Sequence, residues 1–259
     1  EPGEVVVIDD DGVRSLQPFP KTSSQRFCVF EYIYFARPDS VVEGVNVYNA
    51  RKRIGAELAR EHGVDADVVV PVPDSGVPGA IGFAEEADIS FELGIIRNHY
   101  VGRTFIEPTD SIRHLGVRLK HNANRATLAG KRVILIDDSI VRGTTSTKIV
   151  ELVRAAGATE IHMRVASPPT AHPCFYGADT PTQDQLLASQ MDVGVMAAHI
   201  GVDSLAFISV DGMYRAMGHE YRDHVRPQFC DACFTGDYPI ELTDQLGGQN
   251  VAQLSLLDE

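Results

Sequence analysis

Residues 133–147 carry acidic, glycine and hydroxyl side chains in an order suited to a bound sugar phosphate. The segment begins with the apolar run Val-Ile-Leu-Ile, typical of a buried strand, and the carboxylates of Asp137 and Asp138 follow where that strand should end. The opening of a predicted helix comes next, with Gly143, Thr144, Thr145 and Ser146. Helix N-termini bind phosphate groups, and carboxylates reach ribose hydroxyls or a hydrated divalent cation. The alternative, one aspartate capping the helix, does not require two carboxylates.

A second loop of this kind follows the predicted strand 68–72. It contains Asp74, Ser75 and Gly76, and a predicted helix of small residues follows it. Ligands in parallel α/β sheets bind at the carboxyl ends of strands, so we expect both loops at one edge of the sheet. Taken alone, the second loop also fits an ordinary turn between a strand and a helix.

The remaining predicted elements alternate between strands and helices. They are a hairpin over 4–16, strands over 27–35, 91–96 and 161–166, and helices over 50–62 and 145–156. This alternation predicts the α/β class, with a parallel sheet flanked by helices.

Composition excludes some partners. The net charge of −13 argues against a nucleic acid or an anionic membrane surface. The sequence has no apolar run of about 18 residues that would predict a membrane span, and its first residues lack the pattern of a signal peptide. With 259 residues, of which 44% are hydrophobic, the chain fits one large domain or one domain with a small appendage.

A local positive charge interrupts this acidic background. Residues 97–132 contain eight Lys and Arg residues against two acidic residues, a local balance of +6. Alone, such a segment fits a solvated basic surface, but its position directly before residues 133–147 favours a funnel for an anionic ligand. The part over 97–121 is long and polar, which is typical of a lid or a binding loop.

The chain has four cysteines. Cys230 and Cys233 form a C-x₂-C pair, whereas Cys28 and Cys174 are distant in sequence. Four thiols with none left over suit a Cys₄ site for zinc or for an iron–sulfur cluster, and spacing alone also allows buried free thiols. Disulfides are the least favoured alternative for a cytosolic chain.

Five segments together resemble one family of type I phosphoribosyltransferases, the glutamine phosphoribosyl-pyrophosphate (PRPP) amidotransferases. These segments are 31–40, 100–106, 122–125, 137–145 and 172–177. The resemblance implies a type I phosphoribosyltransferase fold, a twisted parallel sheet flanked by helices, with a C-terminal helical appendage. It also implies a cytoplasmic enzyme in which ammonia displaces pyrophosphate from PRPP to give 5-phosphoribosylamine, the first step of de novo purine synthesis.

The resemblance assigns roles within a PRPP site. Asp137 and Asp138 would face the ribose hydroxyls and one Mg²⁺ per subunit, with Ser75 as a further contact to the ion. The 74–76 loop would hold pyrophosphate through its backbone N–H groups. Residues 143–146 would take the 5′-phosphate.

The same resemblance places four side chains of the basic segment over pyrophosphate when a lid closes. They are Arg97, Tyr100, Arg103 and Lys120. The family has lysine where this chain has Arg97, and arginine where it has His99. Arginine keeps the positive charge but changes its geometry, whereas histidine weakens the field near neutral pH.

The cysteines match the subset of the family that carries one [4Fe–4S] cluster per subunit, with a structural and oxygen-sensing role. The corresponding ligands are Cys28, Cys174, Cys230 and Cys233, and zinc is the weaker alternative.

The resemblance also divides the chain into three parts. Residues 1–26 would be the last strands and linker of an N-terminal glutaminase domain, 27–215 the phosphoribosyltransferase domain, and 216–259 a C-terminal segment with the C-x₂-C pair and a mobile tail. The family's glutaminase domain begins with a catalytic cysteine, whereas this chain begins at Glu1. We therefore expect a synthase half that uses ammonia, with the glutaminase domain missing. Purine nucleotide inhibitors of the AMP or GMP class and a homotetramer or homodimer are further expectations from the family.

Three other functions compete with this interpretation. A regulator that binds PRPP only as a signal usually has a DNA-binding module and a basic surface. A receiver-like domain normally has its acidic pair near its start, and a salvage phosphoribosyltransferase needs a segment that recognises a free base. We find none of these features in the sequence.

Overall fold

The chain alternates between strands and helices over most of its described length. The computed structural model describes residues 3–19, 25–98, 121–240 and 242. Its strands are β1 (Val5–Asp9), β2 (Gly12–Leu16), β3 (Phe27–Cys28), β4 (Val41–Val42), β5 (Val45–Asn46), β6 (Val68–Pro71), β7 (Ile95–Arg97), β8 (His121–Ala123), β9 (Arg132–Asp137), β10 (Glu160–Val165), β11 (Ser204–Phe207) and β12 (Phe229–Cys230). Its α-helices are α1 (Val47–His62), α2 (Val77–Ala87), α3 (Arg125–Leu128), α4 (Thr144–Ala155), α5 (Leu187–Gln190), α6 (Val193–Ile200), α7 (Val210–Ala216) and α8 (Ala232–Thr235). A π-helix at Glu31–Phe35 and a 3₁₀ turn at Gln183–Gln185 complete the set.

Four of these strands form the central sheet, in the spatial order β11–β10–β9–β6. Each neighbouring pair is parallel, and Phe91 adds one further parallel bridge beside Val69. The predicted α/β class and the parallel sheet are therefore confirmed.

Hydrophobic side chains fill both faces of this sheet. Val133 and Leu135 of β9 belong to the core beneath α4 and α6, whereas Ile134 and Ile136 belong to the core beneath α1, α2 and α7. All four are fully buried. Alternate residues of a strand point to opposite faces, so a strand with helices on both sides needs an unbroken apolar run. That requirement explains why the apolar run predicted this strand correctly.

The predicted hairpin and helices are also confirmed. The hairpin forms as β1 and β2, which pair antiparallel. The helices expected over 50–62 and 145–156 correspond to α1 and α4. A helix that crosses a bilayer needs about 20 apolar residues, and none of that kind occurs within the described ranges.

The strand predicted over 27–35 is wrong for most of its length. Only its first two residues form β3, and Glu31–Phe35 is a π-helix. The guanidinium of the buried Arg51 holds this shape, because it donates to the backbone carbonyls of Tyr32 (2.9 Å) and Ala36 (2.8 Å). Aromatic and β-branched composition favours a strand, but this tertiary contact overrides it.

The strand predicted over 91–96 is only partly right. Phe91 makes a single bridge, and β7 begins at Ile95 and pairs antiparallel with β8, outside the central sheet. Between them the backbone turns away, because the N–H of Gly94 donates to the carbonyl of Glu92 (2.9 Å).

The segment after residue 215 packs against the early part of the chain. β12 pairs in parallel with β3, and this pairing places Cys230 opposite Cys28. The ring of Phe229 contacts those of Tyr32 and Tyr214, with centroid distances of 6.1 and 5.5 Å. Within the described residues, α8 is the helical part of the predicted appendage. The proposed domain boundaries stay predictions.

Candidate functional site

The two loops predicted to bind a phosphorylated ligand leave neighbouring strands at one edge of the sheet. β6 pairs directly with β9, with Pro71 beside Ile136. Just beyond β6, the N–H of Val72 donates to the carbonyl of Ile136 at 2.8 Å. Residues 74–76 and 137–146 therefore start from adjacent points, as the spacing of strands and loops predicts.

The acidic pair is buried at the end of β9. Asp137 and Asp138 are each 7% exposed. The N–H of Asp138 donates to Oδ1 of Asp137 at 2.9 Å, and the hydroxyl of Ser139 donates to Oδ2 of Asp138 at 2.7 Å. Burial, and then the neighbouring carboxylate of Asp138, hold the pKa of Asp137 well above its ordinary value. Two buried carboxyl groups of this kind favour a ligand that supplies hydroxyl donors or a cation.

The capping alternative for the acidic pair is wrong. The N-cap of α4 is Gly143, which makes no side-chain capping hydrogen bond. The two carboxylates precede this cap by several residues, so they remain available for a ligand.

Gly143 and the hydroxyl residues after it form an open helix N-terminus. Gly143 has a φ of +76°, and a Cβ there would lie 2.7 Å from Cδ2 of Leu187. At the first turn, the N–H of Thr147 donates to the carbonyl of Gly143 at 3.0 Å. The N–H groups of residues 144–146 precede that bond and have no acceptor within the helix. Thr144 and Thr145 are exposed and Ser146 is buried, so an anion can approach this turn from one side.

The 74–76 loop lies beside the acidic pair, because Ser75 and Gly76 line a cleft together with Asp138. Gly76 is the N-cap of α2, and its N–H donates to the carbonyl of Val72 at 3.0 Å. The peptide bond between Pro73 and Asp74 is cis. Ser75 and Gly76 line a small cleft that is completed by Ile33, Arg51, Ile54, Gly79, Asp138 and Ala166. This loop is therefore a wall of the cleft as well as a turn between a strand and a helix.

Arg97 brings positive charge to this loop. Its guanidinium forms an ion pair with the carboxylate of Asp74. Of the predicted lid residues, Tyr100, Arg103 and Lys120 lie outside the described residues, as does His99. The structure thus brings one of the four lid candidates to the predicted pyrophosphate loop.

Arg51 lies in the same cleft and is absent from the predicted site residues. It is 5% exposed and lines the cleft beside Ser75 and Asp138. Burial lowers the pKa of its guanidinium, and the Asp138 carboxylate opposes that effect. Its position in α1 falls on the buried stripe that includes Val47, Ile54 and Leu58. A charged residue in such an apolar stripe is the sequence signal that would have found it.

Three separate segments bring the four cysteines together. Cys28 in β3 lies opposite Cys230 in β12. The carbonyl of Cys233 accepts hydrogen bonds from the N–H groups of Ala171 (3.1 Å) and His172 (3.0 Å), which holds the 171–174 loop beside α8. All four thiols are free and partly buried.

The local environment shifts the pKa of each thiol. Burial raises the pKa of Cys28, Cys230 and Cys233, and the other cysteines add to the rise. For Cys174, backbone N–H groups that point at the sulfur outweigh burial and lower the pKa. One of these donors is the N–H of Tyr176, at 3.5 Å. The thiols are close enough to influence one another, although no group of three or more His, Cys, Asp or Glu side chains in the described ranges is arranged to hold a metal ion.

The part of the chain with both loops matches a known family. Residues 39–171 match the family model described as the phosphoribosyl transferase domain. The match includes the 74–76 loop and residues 137–146, whereas the four cysteines lie outside it.

Curated amidophosphoribosyltransferases are similar to this chain over nearly its whole length. The enzyme from Rhizobium etli is 60% identical over 262 residues, which cover 99% of this chain and 53% of that protein. The enzyme from Bacillus subtilis is 52% identical over 242 residues, which cover 93% of this chain and 50% of that protein. The chain thus spans about half the length of the curated relatives that it matches.

A solved structure agrees with the fold. Glutamine PRPP amidotransferase from B. subtilis, complexed with ADP and GMP, matches with a TM-score of 0.81 at 51% identity. The match covers 95% of this chain and 53% of that chain. The type I phosphoribosyltransferase fold expected from the sequence is therefore confirmed. The chain belongs to the phosphoribosyl transferase domain family.

Proposed function

We propose that this chain carries out the phosphoribosyl transfer of an amidophosphoribosyltransferase, in which ammonia displaces pyrophosphate from PRPP to give 5-phosphoribosylamine. One observation carries the proposal: the buried pair Asp137 and Asp138 ends one of two adjacent strands, each of which leads into a helix with a glycine N-cap, and Asp138 shares a cleft with Ser75 and Gly76. PRPP presents the matching groups, two ribose hydroxyls between a 5′-phosphate and a pyrophosphate. The similarity to amidophosphoribosyltransferases supports ammonia as the nucleophile.

The reaction places charge where this site has complementary groups. A C–N bond forms at C1 of the ribose while the C–O bond to pyrophosphate breaks, and the nitrogen loses one proton. C1 becomes oxocarbenium-like, and negative charge grows on the leaving pyrophosphate. The backbone of the 74–76 loop and Arg97 would receive that charge, while residues 143–146 fix the 5′-phosphate. Catalysis by this site is then mainly positioning and charge stabilisation.

We also propose one Mg²⁺ at the acidic pair. The donors fit this ion, since Mg²⁺ prefers oxygen ligands and is usually held by one or two carboxylates together with substrate phosphates and water. Asp137, Asp138 and Ser75 would supply the protein oxygens. When bound, the ion would neutralise substrate phosphate charge.

For the cysteines we propose one structural [4Fe–4S] cluster, held by Cys28, Cys174, Cys230 and Cys233. Four free thiols from three segments, each able to affect another's pKa, are a donor set for such a cluster. A zinc ion instead needs four ligands at about 2.3 Å from one point. Within the described residues, no group of three or more ligating side chains meets that requirement, so zinc is the weaker alternative.

Iron analysis tests the cluster proposal. Chain purified without oxygen should contain about four iron atoms and equivalent sulfide per chain, with the broad brown absorbance of such clusters. Replacing Cys233 with Ser should abolish both signals, because it removes a ligand. Stoichiometric zinc without iron in the anaerobic protein would show that the cluster assignment is wrong.

Pyrophosphate release tests the reaction itself. With PRPP and Mg²⁺, the chain should release pyrophosphate in proportion to added ammonia, and 5-phosphoribosylamine should form in equal amount. A salvage enzyme would require a purine base for release, and a regulator would bind PRPP without turnover. Either of those results would contradict the proposal.

The allosteric and quaternary expectations are part of the same proposal. The B. subtilis structure is a complex with ADP and GMP, which supports binding of purine nucleotides by this chain. Their role as inhibitors stays a prediction. A glutaminase domain as the source of ammonia and a homotetramer or homodimer stay predictions.

A further inference from the structure

A network of buried charges surrounds the middle of the C-x₂-C segment. Asp231, between Cys230 and Cys233, is fully buried. Its carboxylate accepts hydrogen bonds from Nε and Nη2 of Arg222 at 2.6 and 3.1 Å, and from the hydroxyl of Tyr214 at 2.9 Å. A buried ion pair with additional hydrogen bonds fixes geometry more than it adds stability.

The same aspartate fixes the backbone of the segment. Its carbonyl accepts hydrogen bonds from the N–H groups of Phe234 (2.9 Å) and Thr235 (3.1 Å), which form the first turn of α8. The hydroxyl of Thr235 donates to the Asp231 carboxylate at 3.0 Å. Backbone and side chain of this one residue therefore constrain the backbone that carries Cys230 and Cys233.

The network also joins the cysteine segment to the core. Tyr214 is fully buried in α7 and belongs to the hydrophobic core beneath β9. Arg222, 5% exposed, donates as well to Asp237 at 2.6 Å, beyond α8. A path of direct contacts thus leads from a core helix to Asp231 within the C-x₂-C segment and to Asp237 beyond α8.

Charge gives the arginine a second role. The guanidinium of Arg222 forms an ion pair with the Asp231 carboxylate at 2.6 Å, and both side chains are buried. Without the arginine, an unpaired buried carboxylate would remain between Cys230 and Cys233, which is costly for this conformation of the segment.

We infer that Arg222, Asp231 and Tyr214 are positioning residues that hold the C-x₂-C segment in the conformation in which its two sulfurs can bind a cluster. The inference rests on the cluster proposed above. Residues that orient ligands from behind typically change metal affinity by about 10- to 100-fold when they are replaced.

A matched control distinguishes positioning from general stabilisation. Arg164 is also 5% exposed, and its guanidinium donates to the carbonyls of His62 (2.7 Å) and Met163 (3.0 Å) and to the hydroxyl of Ser204 (3.0 Å). It lies in β10 and contacts none of the cysteine segments through these bonds. Arg164→Met therefore removes an equally buried arginine from another part of the fold.

The experiment compares Arg222→Met with Arg164→Met in the whole chain, each purified without oxygen. The first readout is the half-time of iron loss to a chelator. The second is the rate at which a thiol reagent labels the cysteines of the iron-free chain. For Arg222→Met we expect iron loss about 10-fold faster or more, together with faster labelling. Arg164→Met should match the wild type in both measurements, even if its resistance to urea falls.

Two further variants keep the result interpretable. Adding Asp231→Asn to Arg222→Met removes the unneutralised carboxylate and should restore part of the iron retention. Tyr214→Phe keeps the packing and loses one hydrogen bond, so it should give an intermediate labelling rate even if Arg222→Met does not fold.

The outcomes separate this inference from the cluster proposal. Iron in the wild type, with equal iron loss in Arg222→Met and Arg164→Met, would overturn the inference alone. A wild type without iron would overturn the cluster proposal. In that case the labelling rates alone test the positioning of the C-x₂-C segment. Equal labelling rates in Arg222→Met and Arg164→Met would overturn the positioning inference as well.

Discussion

Asp138→Asn and Asp137→Asn are each expected to lower ammonia-dependent pyrophosphate release at least ~100-fold, the scale for loss of a positioned charge in a transition state. Both carboxylates are buried at the end of β9, and Asp138 lines a cleft with Ser75 and Gly76 of the loop that would hold pyrophosphate. Asparagine keeps the size of each side chain but removes the negative charge available to Mg²⁺ and to the developing positive charge at C1. Steady-state release of pyrophosphate from PRPP measures the effect.

Asp137→Asn should lower activity but raise the stability of the folded chain at neutral pH. In the folded, ligand-free chain its pKa is raised by burial and by Asp138. Above about pH 4 the unfolded carboxyl group loses its proton while the folded one retains it. The unfolded state then binds fewer protons, so the contribution of Asp137 to stability falls as pH rises through this window. Asp137→Asn removes that dependence and should resist urea better than the wild type at neutral pH.

A surface aspartate supplies the control. Asp10 is exposed in the turn between β1 and β2, and Asp10→Asn should leave both activity and the pH dependence of stability unchanged. Activity close to that of the wild type in both acidic-pair variants would reject the assignment of the site. Lower urea resistance of Asp137→Asn at neutral pH would instead reject the raised pKa.

Local pattern accounts for much of the fold that the sequence predicted. The apolar run before Asp137 has to be a buried strand, because helices cover both faces of the sheet. Glycine and hydroxyl residues a few positions after such a strand are typical of a helix that begins at the carboxyl edge of the sheet. The positions of the acidic pair and of the loops 74–76 and 137–146 were therefore predictable from neighbours in the sequence.

Features that depend on distant contacts were not predictable in this way. The guanidinium of Arg51 donates hydrogen bonds to the carbonyls of Tyr32 and Ala36, and this contact explains why a π-helix forms in place of the predicted strand. Likewise, the C-x₂-C spacing indicated a ligand pair, but only the pairing of β3 with β12 places Cys28 opposite Cys230. Local propensity contains no information about either contact.

The second large effect is expected from a single methyl group at Gly76. Its φ is −73°, which alanine adopts readily, so backbone strain plays no part. A Cβ there would instead lie 2.9 Å from the carbonyl oxygen of Val72 and closer still to that of Ile136. The Ile136 oxygen lies within β9, and the Val72 oxygen lies directly after the neighbouring strand β6. Because both are backbone oxygens, they cannot rotate away. The loop itself must move in Gly76→Ala.

Movement of that loop should harm both stability and activity. Overpacking of this kind costs about 1–3 kcal/mol of unfolding free energy. A shift of ~1 Å in groups that position a reacting substrate lowers turnover on the order of 100-fold, and here those groups are the proposed pyrophosphate contacts. Gly177→Ala is the matched control, because a Cβ at Gly177 meets nothing within 4 Å and its φ lies outside the left-handed range. If Gly76→Ala unfolds at lower urea yet releases pyrophosphate as fast as Gly177→Ala, the 74–76 loop is a structural turn and pyrophosphate binds elsewhere.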